Sequence, residues 1–465
     1  MFTQSLNKVH FTSLGCPRNL VDTEVMIGIL IQAGYQATSD MRDADYLVVN
    51  TCGFLESSRR ESLDTIQMLI NEKKPSAKVV VTGCMVQNHK DIIKTEIPEV
   101  SYLLGSGDVS QILSLITATE SQEIITTARS YLQAGEVPRT LSTPKHYAYL
   151  KIAEGCLKRC SFCIIPQIKG NLKSKSVEQV LKEMRALLSQ GVNEVILIAQ
   201  DLGDWGKERK ERFEDLLKAI LTLPNNFKLR LLYLYPDEIS DELIELIKSD
   251  SRILKYLDMP LQHINDEVLK TMRRKTNRAQ IIEIITKLRR ELPDVVIRTS
   301  LMVGFPGETE EQFEELCRFV QTHPLDNIGV FTFSSEKGAY AENLPNHISE
   351  EVKKRRYDTL MQIQGLTVEK LSRRWVGRKI PVVIEGYHPD SKHLMVGRFH
   401  GQCPDIDGQV IINDCRAVTA FGKEYLVEIT DVAGYDLVGA SLYPEKPKKN
   451  SSMRIGGLRI VKEAQ

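Results

Sequence analysis

Three cysteines stand in the run Glu154-Gly155-Cys156-Leu157-Lys158-Arg159-Cys160-Ser161-Phe162-Cys163. Their Cys-x3-Cys-x2-Cys spacing puts three thiols on one short loop. Three thiolates this close can ligate three irons of a cubane iron–sulfur cluster and leave the fourth iron open for chemistry. A zinc site would call for a fourth ligand nearby, and none stands at finger-like spacing. Three more cysteines repeat a pattern of their own. Residues 9–14, 46–50 and 78–82 are short apolar runs, and Cys16, Cys52 and Cys84 follow them directly. Val-rich runs of this length read as buried parallel strands. After Cys16, Leu20, Glu24, Ile27, Leu30 and Ile31 keep helical spacing; after Cys52, Leu63, Ile66, Leu69 and Ile70 do the same. Ligands of parallel α/β sheets sit beyond the carboxyl ends of the strands. All three cysteines fall at that end, so chain geometry can bring them together.

These six have to be positioned by the rest of 465 residues, a length that suggests about three domains. The nine cysteines are odd in number and are expected as free thiols rather than a disulfide framework. Cys317 keeps helical spacing and reads as core; Cys403 and Cys415 lie in β-rich sequence and read as non-ligands. Lys+Arg and Asp+Glu are each 61, so no chain-wide polybasic surface exists for nucleic acid or membrane. No apolar run approaches the roughly 18 residues of a membrane span. The first eight residues lack a secretory layout, which makes the cytoplasm the expected location.

Residues 142–145 (Ser-Thr-Pro-Lys) read as a linker. Beyond them, strand-like runs at 149–153, 195–199, 229–234, 256–259, 295–301 and 328–333 alternate with helical patterns such as 176–189 and 278–291. That alternation predicts a barrel or partial barrel of βα units. From residue 379 the texture changes to short β-rich segments (379–385, 393–399, 409–412 and 424–430) separated by Gly, Pro and Asp turns, which reads as a small β-barrel. The fold class is α/β. A parallel-sheet cluster domain is expected over 8–120, a partial (βα) barrel over 142–372, a small β-barrel over 376–443 and a flexible tail over 444–465.

The triplet's spacing, with Phe162 just before the third cysteine, resembles the radical S-adenosylmethionine (SAM) superfamily. The resemblance implies a 4Fe–4S cluster whose open iron binds the amino and carboxylate groups of SAM, with reductive cleavage to methionine and a 5′-deoxyadenosyl radical. It also places Phe162 near the adenine. With three further cysteines ahead of the motif, residues 8 to 443 resemble the methylthiotransferase family: an N-terminal cluster domain, a radical SAM domain and a C-terminal TRAM domain. Matching stretches include Ser13-Leu14-Gly15-Cys16-Pro17-Arg18-Asn19, Asn50-Thr51-Cys52-Gly53-Phe54, Val81-Thr82-Gly83-Cys84 and Val303-Gly304-Phe305-Pro306-Gly307-Glu308-Thr309. Pro17-Arg18-Asn19, Gly53-Phe54 and Pro260-Leu261-Gln262-His263 resemble the branch that modifies a small-subunit ribosomal protein. The tRNA-modifying relatives usually differ at all three places.

What that resemblance implies is specific. Two 4Fe–4S clusters are expected, one on Cys156, Cys160 and Cys163 and one on Cys16, Cys52 and Cys84. A methylthio group goes to the β-carbon of an aspartate in the ribosomal protein, met free or within the ribosome, and an electron donor is required. Gly304 and Gly307 shape the adenosine pocket. Gln200 ends the second barrel strand and is expected to point into the site. Arg298 lies in a strand between apolar residues and needs an acidic partner, either Asp258 or the SAM carboxylate. His263 reads as a satisfied structural histidine. No catalytic residue is expected beyond the cluster ligands, because a radical reaction on an unactivated C–H bond leaves little for acid–base groups.

The chain departs from the family pattern in places. Lysines stand at 169, 173 and 175 where arginines are usual, which keeps charge but loses the bidentate fork. Residues 202–206 and 338–341 also depart, which bears on substrate contacts more than on the metal sites. The C-terminal barrel carries six Lys/Arg and nine Asp/Glu between Val376 and Tyr443, and 6 − 9 gives −3. A groove for a nucleic-acid backbone is expected to be basic. An acidic barrel suits a basic protein partner, so neither stable nucleic-acid binding nor membrane binding is expected. Two alternatives stand beside this reading. One is tRNA adenosine methylthiolation, which predicts a basic barrel. The other is an iron–sulfur carrier or redox module, which leaves the long βα region unexplained.

Overall fold

The computed structural model describes residues 7–126, 130–133, 137–224, 226–443, 454–455 and 458–459. It divides into two compact units, Met1–Leu371 and Ser372–Gln465. The regions expected as separate domains over 8–120 and 142–372 thus pack within one unit.

The first sheet of that unit is built from β1 (Lys8–Ser13), β2 (Gln36–Ala37), β3 (Tyr46–Thr51), β4 (Lys78–Gly83), β5 (Tyr102–Gly105) and β6 (Gln122–Ile124). All pairings are parallel, in the order β2-β1-β3-β4-β5-β6. Helices α1 (Pro17–Gln32), α2 (Glu56–Glu72), α3 (Cys84–Glu96) and α4 (Ile112–Ile116) connect the strands. Strands β3 and β4 are buried on both faces, which is why they read as unbroken apolar runs. Strand order reverses between β1 and β3, the place where open parallel sheets bind ligands. Cys16 and Cys52 follow these two strands, and Cys84 follows the next.

The second sheet holds β7 (Tyr147–Lys151), β10 (Glu194–Ile198), β11 (Lys228–Leu231), β12 (Ile253–Asp258), β13 (Val296–Val303) and β14 (Asn327–Thr332). These six strands run parallel in sequential order, with β7 and β14 at the edges. This is the partial barrel expected from the alternation. A short antiparallel pair, β8 (Ala153–Glu154) and β9 (Lys173–Ser174), flanks the cluster loop. Helices α5 (Ile165–Lys169), α6 (Val177–Ser189), α7 (Phe213–Leu221), α8 (Asp241–Ser249), α9 (Asp266–Thr271), α10 (Arg278–Glu291), α11 (Glu310–Thr322) and α12 (Glu350–Ser372) complete the region. Helix α6 starts where a capping box dictates: Ser176 Oγ accepts from the Gln179 N–H, and Gln179 returns a bond to the Ser176 N–H. The core between sheet and helices is continuous, with Leu150, Leu197, Leu229, Leu257 and Ile297 fully buried. Each contributes roughly 1.5–3 kcal/mol.

The second unit is a closed barrel of β15 (Lys379–His388), β16 (Ser391–Arg398), β17 (Val410–Asp414), β18 (Lys423–Ala433) and β19 (Asp436–Ser441), ordered β15-β16-β17-β19-β18. Closure leaves no free edge. Cys403 is buried in this unit, and Cys415 lies at its wall with its thiol on the His393 carbonyl at 3.6 Å. The tail expected over 444–465 lies outside the described residues, apart from a two-stranded ladder of Arg454–Ile455 with Leu458–Arg459.

Candidate active site

Cys16 is the N-cap of α1, Cys52 follows β3 and Cys84 opens α3. Gly15 lets the first two approach. Its φ is +86°, and a Cβ there would lie 2.8 Å from Cys52 Cβ. Asn19 ties the three loops together. Its amide donates to the Leu14 and Thr51 carbonyls, both at 3.0 Å, and its Oδ1 accepts from Cys84 Sγ at 3.8 Å. The three thiols face one another closely enough that an anion on Cys16 would raise both Cys52 and Cys84. Burial pushes Cys84 up to about 12, against the pull of Lys169. Burial also opposes ionisation of Cys16. The Arg18 charge and the Asn19 and Arg18 N–H groups outweigh it and hold that thiol below its usual range.

The second triplet sits beyond β7 and β8. Each thiol receives a donor: the Lys158 N–H reaches Cys156 Sγ at 3.3 Å, the Ile165 N–H reaches Cys163 Sγ at 3.4 Å, and Arg274 Nη1 reaches Cys160 Sγ at 3.7 Å. The Tyr235 hydroxyl lies 3.5 Å from Cys160 Sγ. Donors to sulfur favour the thiolate. Burial opposes them and pushes Cys156 up to about 11 and Cys163 up to about 12. Lys158 anchors the loop. Its ammonium lies among Asp201, Asp204, Asp237 and Glu238, at 3.3 Å from the first two and 3.7 Å from the third. Burial drives Asp201 up to about 7 even beside that ammonium.

The two triplets share one neighbourhood. Cys84 and Phe54 pack with Ile164 and Ile168 of the second loop and with Ala339. Arg18 spans between the triplets: its Nη1 donates to the Ala199 carbonyl at 2.8 Å, and its guanidinium lies over the Tyr233 ring, 5.1 Å from the centroid. Arg59 donates to Glu336 at 2.5 Å and joins α2 to the loop after β14.

The residues expected to hold SAM have these surroundings. Phe162 packs against the cluster that includes Phe305 and Phe333. Gln200 is half-buried, and its Oε1 has no hydrogen-bond partner among the described residues; nor has the buried Ser161 Oγ. Asp258 is buried and accepts from Arg298 Nη1 at 2.9 Å, so the acidic partner Arg298 needs is Asp258. Gly304 (φ +73°) passes against Lys353, where a Cβ would lie 2.3 Å from Lys353 Cγ. Gly304 N–H and Arg356 both donate to Glu308, and the Gly307 N–H donates to the Asn346 carbonyl at 2.9 Å. His263 is fully buried between Glu308 at 3.2 Å and the Asn265 N–H at 3.0 Å, a satisfied structural histidine. Cys317 packs against the central core, as its spacing predicts. Two convergent thiol sets, with unpartnered polar oxygens beside the second, fit iron–sulfur ligation and a polar cosubstrate.

Two of the lysines that replace family arginines, Lys169 and Lys175, serve the framework. Lys169 Nζ lies 2.9 Å from Glu154 and 3.5 Å from Asp22, and Lys151 pairs with the same two carboxylates. Lys175 pairs with Glu183. Four oxygens and two ammoniums are thus buried together beneath the first triplet. Replacing Lys169 with Met leaves two carboxylates to one ammonium. Unfolding stability is expected to fall by about 3–5 kcal/mol. A lower denaturant midpoint with an unchanged slope is the expected readout.

The cluster loop after a buried first strand, on a sequential six-stranded parallel sheet, defines a radical SAM enzyme domain. Residues 150–320 match the Radical SAM superfamily, residues 8–105 match Uncharacterized protein family UPF0004 and residues 376–441 match the TRAM domain. The fold is also that of a radical S-adenosylmethionine methyltransferase, TsrM, from Kitasatospora setae, with a TM-score of 0.52 at 15% identity over 70% of this chain and 72% of that one. The chain is 63% identical over 442 residues to ribosomal protein uS12 methylthiotransferase RimO of Protochlamydia amoebophila, covering 94% of this chain and 93% of the relative. Against the protein of that name from Chlamydia abortus it is 56% identical, covering 94% and 95%. The chain belongs to the RimO family of methylthiotransferases.

Proposed function

We propose that this chain adds a methylthio group to the β-carbon of an aspartate in ribosomal protein uS12. The observation that carries the reading is the meeting of two cysteine triplets, from two different sheets, around Arg18 and Tyr233. A single-cluster enzyme has no use for the first triplet. An iron–sulfur cluster and SAM belong with the radical SAM domain; two clusters, one on each triplet, is the fuller proposal. The groups supply, when bound, a radical from SAM and a sulfur-bearing ligand for transfer.

The chain's own residues position and enclose. Phe162 and Phe305 present an apolar wall for the adenine, and Gln200 Oε1 and Ser161 Oγ offer acceptors for its polar groups. Asp258, the last residue of β12, neutralises Arg298 beside it on β13. Tyr235 and Arg274 close over Cys160 and keep water from the second triplet. Among the described residues, no helix is long and apolar enough to cross a membrane.

The acidic barrel supports a basic protein partner over RNA. Asp407 is half-buried and accepts from the Cys403 N–H at 2.9 Å, so it serves the barrel. Asp390, Glu424 and Asp431 are exposed. Changing these three to Asn, Gln and Asn is expected to weaken uS12 binding by roughly 0.2–1 kcal/mol per contact, mainly through slower association. The loss should shrink as salt rises. Binding to uS12 and to bulk tRNA at two salt concentrations is the measurement. An unchanged association rate removes the barrel's charge from the account.

A further inference from the structure

Several cations near the triplets have carboxylate partners. Lys151 and Lys169 share Asp22 and Glu154, Lys158 lies among four acids, and Arg298 holds Asp258. Among the described residues Arg274 pairs with no carboxylate; it is engaged with Cys160 and the Pro260 carbonyl on the side of the second triplet. Arg18 differs in place as well as in partner. Among the described residues no carboxylate pairs with it; it donates to the Ala199 carbonyl, rests on the Tyr233 ring and faces the Cys16 thiol. As a whole residue Arg18 is half-buried. Tyr233 itself has φ +64°, a left-handed conformation that a bulky residue adopts at a cost. Such strain persists where surrounding structure enforces it, commonly at functional sites. Here it brings the ring under Arg18.

The chemistry of the reaction says what this charge is for. The C–H bond that breaks and the C–S bond that forms share one atom, the β-carbon of the aspartate. That carbon must be reached from both triplets, so it lies between them. Its carboxylate is one bond away and must lie there too, beside two sets of sulfur anions. An unpaired carboxylate in such a place is costly. A planar guanidinium carries five N–H donors, more than its bonds to the Ala199 carbonyl and the Cys16 thiol use, and offers the matching fork. Resting on the function proposed above, we propose that Arg18 holds the side-chain carboxylate of the substrate aspartate, orients its β-carbon between the triplets, and selects Asp over Asn.

The test uses reconstituted full-length protein with SAM and synthetic uS12 peptides carrying Asp, Asn or Glu at the modified position. Binding is read by fluorescence anisotropy, and iron content reports that both triplets remain loaded. Wild-type protein is expected to prefer Asp over Asn by on the order of tenfold. Arg18→Met should abolish that preference, and Arg18→Lys should keep part of it. If Arg18→Met loses iron, Arg18→Gln, which keeps a donor for the Ala199 carbonyl, carries the same comparison. A methionine or glutamine variant that retains the full Asp/Asn ratio overturns the inference. So does wild-type protein that binds the two peptides equally. Wild-type protein that binds no uS12 peptide yet modifies another substrate overturns the proposed function, and the inference with it.

Discussion

Replacing Cys156, Cys160 and Cys163 together with Ala removes about half the iron from reconstituted protein, roughly four irons, and abolishes 5′-deoxyadenosine formation. The triplets share one compact unit, but their ligand loops hang from different sheets. Cys16, Cys52 and Cys84 are held by Gly15 and Asn19, whose bonds include no residue of the second loop. The first site therefore survives loss of the second. Iron and acid-labile sulfide analysis checks this, with circular dichroism to show that the variant is folded. Full retention of iron, or loss of all of it, contradicts two separate sites.

The converse variant, with Cys16, Cys52 and Cys84 replaced by Ala, loses methylthio transfer completely and still cleaves SAM. The donors to the second triplet come from Lys158, Ile165, Arg274 and Tyr235, none of them on the first sheet. Arg18 and the Cys84 contact to Ile164 and Ile168 do link the two sides. A reduced rate of 5′-deoxyadenosine formation, by a few-fold, is compatible with that packing. Chromatographic assay of 5′-deoxyadenosine and of modified uS12 in one reaction separates the two activities. A folded variant that retains half its iron yet makes no 5′-deoxyadenosine would show that the division of labour is wrong.

The cysteine pattern was legible because it is local: spacing within one loop, and repeated placement after a strand, need no knowledge of long-range contacts. The buried parallel strands were legible for the same reason, since burial on both faces writes a continuous apolar run. Strands at 8–13, 46–51 and 78–83 match those runs within a residue. Strand β6 reads Gln-Glu-Ile and carries no such signature, and β2 is two exposed residues; both exist through pairing alone. In the barrel, β19 was missed because Gly434 and Gly439 break the apolar pattern around it. The partners of the site were least legible. Arg18 meets Ala199 across 181 residues, and Arg59 meets Glu336 across 277. Each is an ordinary surface charge in sequence. One signal was present: Arg18 stands two residues after a cysteine that ends a buried strand, where a charge has little reason to be unless something uses it. The four-acid nest of Lys158 likewise draws on segments around 201–204 and 237–238.

The central claim is that this protein places a methylthio group on an aspartate of uS12. The most direct measurement is mass spectrometry of uS12 after incubation with reconstituted protein, SAM, a reductant and a sulfur source, with fragmentation to locate the change. The account predicts that one aspartate gains a methylthio group in place of one hydrogen, that 5′-deoxyadenosine accumulates in step, and that bulk tRNA in the same tube stays unmodified. Unmodified uS12 in a reaction that turns over SAM, or a methylthio group on tRNA adenosine instead, would contradict it.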